Sequence, residues 1–236
     1  MAFKRQVIMP PGRTRLHSPV PEGMRCGDWL FSSLLGPTGG GGVSAGDPVG
    51  DARLLFKRIN DILESAGGTP DNLVHLGVYV LDDEDRQAIN VAWGEMFPDG
   101  AGRPARYILN VDPEGTHWRF AAQFTAVLGD NLGKPVFSPM ITGHAKGSNQ
   151  IPADREREVD VMFDNLKSWA ESAGGSLANV ASVMVYCMQD DGRQPLNTGW
   201  AKVFPDTTDL PCRQTLVMRP DGLQEGNFGA FATAIL

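Results

Sequence analysis

Two arginines carry the chemistry of this sequence. Arg106 and Arg213 each stand two places after a proline, in Pro104-Ala105-Arg106 and Pro211-Cys212-Arg213. Each leads an apolar stretch in which a charge is out of pattern. A guanidinium is a planar fork of donors that grips a carboxylate through two parallel hydrogen bonds. The pair therefore points to a small carboxylated ligand, against the plainer reading of two surface arginines. Asn90 and Asn197 lie upstream of them at matching places, as ligand contacts or as loop-tethering caps. Trp93, Trp200, Phe97 and Phe204 fall at helical spacing and read as core.

Those matches belong to a longer repeat. ESAGG occurs at 64–68 and again at 171–175, a shift of 107 residues. The same shift carries Phe56 to Phe163, Val78-Tyr79 to Val185-Tyr186, Trp93 to Trp200, Phe97-Pro98 to Phe204-Pro205, and Arg106 to Arg213. Pro113 and Gly115 likewise reach Pro220 and Gly222. Chance does not hold one register that long, so the chain is a tandem duplication. Its expected units are residues 1–130 and 131–236.

The elements that must position the arginines follow from periodicity. Leu54, Leu55, Ile59, Ile62 and Leu63 predict an amphipathic helix over 48–66, ended by Gly67-Gly68. Residues 73–81 alternate as a strand, 84–97 form a second helix, and 106–111 and 118–128 are strands. The second copy repeats this as helix 154–173, strand 178–187, helix 193–204 and strands 213–218 and 226–236. Each unit is then α+β, a mixed or antiparallel sheet with two helices on one face. The first copy opens with a hairpin over 24–35. The second has only 135–141 there, a shortened start with room for an edge strand borrowed from its neighbour.

Composition excludes several classes. A net charge of -7 repels a phosphate backbone, so no nucleic-acid partner is expected. The apolar runs are strand-length, so no membrane span is expected, and the first residues lack the apolar core of a leader. Three cysteines without CxxC spacing form neither a disulfide framework nor a zinc ribbon, which fits a reducing cytoplasm. Cys26 and Cys187 read as core; Cys212, beside Arg213, lacks a histidine near in sequence to activate it. His17, His75, His117 and His144 lack the spacing of a metal face, so no metal is expected. The glycine-rich segment 36–48 lacks the lysine of a phosphate loop and reads as a mobile loop near a pocket.

The order helix, Ala-Gly-Gly, strand ending Val-Tyr, helix with asparagine and an aromatic, Phe-Pro, Pro-x-Arg and strand occurs twice. In this order and spacing the chain resembles the RidA/YjgF family of enamine/imine deaminases over roughly residues 15–128 and 135–236. The resemblance implies chorismate-mutase-like units packed in a threefold barrel with clefts between neighbours. It implies that the Pro-x-Arg arginine holds a substrate carboxylate while an enamine or imine is hydrolysed to a ketone and ammonia, without a cofactor. Ser33 resembles a pocket serine, with Pro139 in its place in the second copy. Where the family carries a glutamate on the last strand this chain has Ala121 and Gly229, and Gln123 is the nearest polar residue. Proton transfer would then fall to another group, and His144 is one candidate. Arg106 is the first expected site and Arg213 the second. A homotrimer is the simplest closed assembly, since three chains supply six units for two rings. The rival readings are a non-catalytic ligand-binding oligomer, a cofactor-free hydrolase of another carboxylated substrate, and ribonuclease action, which the acidic charge opposes.

Overall fold

The computed structural model describes residues 4–12, 19–38, 44–100, 102–110, 118–148, 150–188, 192–217 and 226–236. His17, His117, the glycines at 39–42, and the repeat matches at 113, 115, 220 and 222 lie outside them. Two α+β units follow one another. The first sheet has six strands in the order β1 (Arg5–Ile8), β2 (Gly23–Cys26), β3 (Trp29–Ser32), β6 (Phe120–Val127), β4 (Leu73–Val80) and β5 (Ala105–Asn110). Helices α1 (Pro48–Ser65) and α2 (Asp83–Met96) pack on one face. The β2–β3 hairpin turns on Gly27, whose φ of 59° lies in the left-handed region that glycine adopts freely.

The second sheet runs β10 (Cys212–Val217), β9 (Val180–Cys187), β11 (Phe228–Ile235) and β7 (Pro135–Phe137), with the short β8 (Ile141–Thr142) also on β11. Helices α3 (Arg155–Ser172) and α4 (Arg193–Val203) cover it. In each sheet the arginine strand is a parallel edge and the other pairings are antiparallel. Both long helices start the same way. The Asp47 side chain accepts from Gly50 N and the Asp154 side chain from Arg157 N, which satisfies amides left open at a helix start.

The duplication is visible in the ladders. Arg106 pairs with Leu76 and Arg213 with Val183, at the same shift of 107. The last strands sit one residue further on, because Ala121 faces Tyr79 while Gly229 faces Tyr186. At the start of each unit a serine hydroxyl accepts a last-strand amide: Ser32 from Phe124 N and Ser138 from Ala232 N. Pro139 therefore does occupy the place of Ser33.

The units pack side by side. Met24, Cys26 and Phe31 of the first share a buried cluster with Ala181, Cys212 and Ile235 of the second. Arg5, on a strand the periodicity missed, reaches across as a clip. Its Nε and Nη2 donate to Asp209 at 2.7 and 3.0 Å, and its Nη1 to the carbonyls of Leu177 and Val180. Among the described residues no strand of the first unit joins the ladder of the second, contrary to the expected borrowed edge. The edge strand β10 instead docks on the end of β3 through individual bonds, because its side chains there reach the carbonyls of the other sheet.

Candidate functional site

Each arginine sits in the same frame. The Arg106 Nη2 donates to Asn90 Oδ1 at 2.9 Å, and its guanidinium lies 4.4 Å from the Trp93 ring centroid. The Arg213 Nη2 donates to Asn197 Oδ1, and its guanidinium lies 4.9 Å from the Trp200 ring centroid. The parallel edge strand presents the arginine toward the helix, and the helix supplies an asparagine and, three residues on, a tryptophan from the same face. Trp93 and Trp200 are thus core residues that also serve as platforms, a second role that helical spacing alone did not reveal.

In both frames Nη1 is buried and has no hydrogen-bond partner among the described residues. No carboxylate there pairs with either guanidinium. A buried cation with an unmet donor is a site for an anion, because an open donor is costly and a carboxylate oxygen satisfies it. Burial draws Arg213 down to about 10, with Cys187 opposing the shift and Arg193 adding to it. Arg106 is drawn down chiefly by burial, then by Arg103 and Arg86. Both remain cationic at neutral pH.

The two frames differ in their opposite wall. Arg213 is only 8% exposed, and the first unit closes over it. Arg213 N donates to Ser33 Oγ at 3.2 Å, Leu34 N to Arg213 O at 3.3 Å, and Cys212 Sγ to Phe31 O at 3.0 Å. Ser33 therefore joins the second unit's arginine, not the arginine of its own unit. The sequence could not show this, since Ser33 and Arg213 are brought together only by the packing of the two units. Arg106 is half-buried, and among the described residues no hydrogen bond joins it to the second unit.

The structure does not bring Gln123 to either arginine. Tyr107 alternates with Arg106 along β5 and so faces the other side of the sheet. The Gln123 Nε2 donates there to the hydroxyls of Tyr79 and Tyr107, both at 3.1 Å. Gln123 lines a cavity of about 520 Å³ between the two sheets, together with Trp29, Phe31, His75, Met184 and Phe231. Neither arginine lines this cavity; the charge and the open donors are in the arginine frames. His144 is not at Arg213 either. It follows β8, on the opposite edge of the second sheet from β10, with Nδ1 2.6 Å from Thr142 Oγ1. Cys212 is buried and its thiol pushed far up by burial, which removes it as a nucleophile. Ala121 is fully buried and Gly229 has no side chain, so the last strands offer no acid beside the arginines. Among the described residues no group of histidine, cysteine and acidic side chains is arranged to hold a metal ion.

A profile of the family described as Endoribonuclease L-PSP matches residues 17–127. The match spans almost all of the first unit. The family is the RidA/YjgF family that the duplicated motifs resemble. The 3-aminoacrylate deaminase RutC of Acinetobacter baylyi is 28% identical over 109 residues, 45% of this chain and 85% of that protein. Among solved L-PSP/YjgF structures, the YjgF gene product of E. coli is 22% identical and superimposes with a TM-score of 0.47, covering 52% of this chain and 98% of that one. E. coli TdcF with bound serine is 21% identical with a TM-score of 0.48, covering 52% of this chain and 99% of that one. Among the described residues no helix is long and apolar enough to cross a membrane.

Proposed function

We propose that each arginine frame anchors the carboxylate of a small enamine or imine, which is hydrolysed with release of ammonia. The observation that carries this is the duplicated Arg–Asn–Trp frame with a buried, unmet Nη1 in both copies. The fork fixes the carboxylate, and the adjacent imine carbon, already electrophilic, takes up water. The new C–O bond replaces the C–N bond, the nitrogen leaves as ammonia, and a ketone remains. An enamine first moves a proton to carbon to become the imine. Holding the acid in one orientation can itself lower the barrier by several kcal/mol. The relative named a 3-aminoacrylate deaminase supports the reaction class. No cofactor is invoked for any of these steps, and a cytoplasmic setting suits the free cysteines.

The clearest test is ammonia release from freshly generated 2-aminoacrylate and 2-aminomuconate by the full chain and by its Arg106→Gln and Arg213→Gln variants. Release above the uncatalysed background, reduced in the variants, is expected. A wild-type rate equal to background overturns the deaminase reading. A second reading, a non-catalytic ligand-binding oligomer, is favoured by Ala121 and Gly229 at the positions where the family carries an acid. Saturable, arginine-dependent binding of keto or amino acids without turnover would select it.

We further propose a homo-oligomer. β10 is buried throughout, whereas its counterpart β5 is an open edge with Leu109 48% exposed. At the other end of the chain, the edge corresponding to β3 leaves Phe137 71% and Met140 46% exposed. These are the two halves of the interface that already joins the units, so a second copy can close over Arg106 as the first unit closes over Arg213. The shared core and the Arg5 clip keep the two units of each chain together, and a homotrimer is the simplest closed head-to-tail assembly proposed. A light-scattering mass of a single chain would overturn it.

A further inference from the structure

The arginine frames lie on the helix side of each sheet and are the same in both units. The opposite faces of the two sheets, which meet between the units, are not. At the shift of 107 His75 answers to Ser182, Gly77 to Met184 and Tyr107 to Gln214. The last strands are one residue out of step, so Gln123 faces Gly77 where Phe231 faces Met184. The inner faces have thus diverged where the clefts have not, and they bound the cavity of about 520 Å³.

The cavity is built like a small-molecule site. Such pockets hold about 300–1,000 Å³ and set a few polar groups in apolar and aromatic walls. Among the described residues that line this one there is no lysine, arginine, aspartate or glutamate. Trp29 and Phe31 stack with ring centroids 6.0 Å apart, and Phe231 meets Tyr186 edge-on at 6.0 Å. On the first sheet Tyr107 lies across the bare backbone of Gly77, where a Cβ would collide with its hydroxyl, and its ring is 5.2 Å from that of His75. Gln123 uses its Nε2 on the hydroxyls of Tyr79 and Tyr107, which leaves Oε1 an acceptor without a partner among the described residues. The His75 imidazole has a ring contact there but no hydrogen bond, and burial keeps it uncharged at neutral pH, so one ring nitrogen is also an open acceptor. On the facing wall Ser182 is bonded to Gln214, and Gln214 to Ser32 O. His75 and Gln123 thus offer two open acceptors on one wall of an uncharged aromatic cavity.

We infer that this cavity is a second binding site, for a neutral, flat aromatic molecule whose hydroxyl or N–H donates to His75 or Gln123. A charged ligand would lose its hydration there with no opposite charge to meet it. Ring faces and edges on the walls match an aromatic occupant, because aromatic pairs gain from stacked and edge-on contact beyond the area they bury. The site is separate from the clefts. Gln214 lines the cavity, whereas Arg213, the residue before it on β10, turns to the helix side. Carboxylate binding at the arginines and aromatic binding here stand or fall independently.

The experiment is calorimetric titration of the full chain with 2-naphthol and with 2-methoxynaphthalene, whose ether has no donor. 2-Naphthol is expected to bind about fivefold more tightly, the contribution of one hydrogen bond. In the His75→Phe/Gln123→Met variant the two should bind alike. Met184→Trp fills the cavity and should abolish binding of both. Circular dichroism checks that each variant is folded, and if Met184→Trp is not, the His75→Phe/Gln123→Met result decides. Arg106→Gln/Arg213→Gln should leave 2-naphthol binding unchanged, and in that variant 2-naphthoate, which the clefts can no longer take, should bind at least about tenfold more weakly than 2-naphthol. Failure of 2-naphthol to bind the wild type, as when side chains of another copy fill the space, overturns the inference. So does a preference that survives His75→Phe/Gln123→Met, binding that survives a folded Met184→Trp, or binding lost in the arginine variant, which would assign 2-naphthol to the clefts. Equal affinity for 2-naphthoate would overturn the neutral ligand class.

Discussion

Arg213→Met separates a ligand-binding arginine from a structural one. Arg213 is 8% exposed, and burial holds it near 10 instead of 12.5, so its charged form is disfavoured by about 3 kcal/mol in the fold. The Trp200 face returns about 2 kcal/mol as a desolvated cation–π contact. The bond to Asn197 returns a further ~1.5 kcal/mol. These terms nearly cancel. A methionine would keep the contact with Trp200 through its thioether, so Arg213→Met should lie within about 1 kcal/mol of wild-type stability. Arg58 is the control. It is similarly buried, but it is paired with Glu22 through two bonds and donates to Gly36 O, so its removal strands a buried carboxylate. Arg58→Met should cost about 3–5 kcal/mol. Urea unfolding followed by circular dichroism measures both, and ligand titration should show that only Arg213→Met loses the acid at its cleft. If Arg213→Met falls as far as Arg58→Met, the guanidinium is a brace, and the argument from its unmet donor fails.

Two other perturbations follow from buried groups. Glu158 is fully buried and accepts from Asn227 N, Asn227 Nδ2 and Phe228 N, which tie α3 to the start of β11; Glu158→Ala should cost about 3 kcal/mol in urea unfolding, with Glu158→Gln recovering part of it. Burial lowers the His75 imidazole, so the unfolded chain binds its proton first as pH falls. The stability His75 supports is full above about 6.5 and is lost as pH drops below it, and His75→Gln should flatten that part of a stability profile taken from pH 7 to pH 5. A profile that stays the same in His75→Gln would remove His75 as its source.

The sequence by itself determined the duplication, the α+β character of each unit and the register of the two arginines. It could do so because these are local or periodic properties. The 107-residue shift needs no tertiary contact to be read, and the periods of helix and strand gave α1, α2, β4 and their copies to within about two residues at their ends. The substitution of Ala121 and Gly229 for an acid was equally legible, since it is a matter of identity at a repeated position. Only tertiary structure decided which wall closes over which arginine. Ser33 meets Arg213 across 180 residues because the β2–β3 hairpin of one unit packs against the edge strand of the other. Gln123 turns away from Arg106 because alternate residues of a strand face opposite sides of its sheet. The duplicated arginine is thus one motif in two environments, buried where the chain supplies its own second wall and open where it does not.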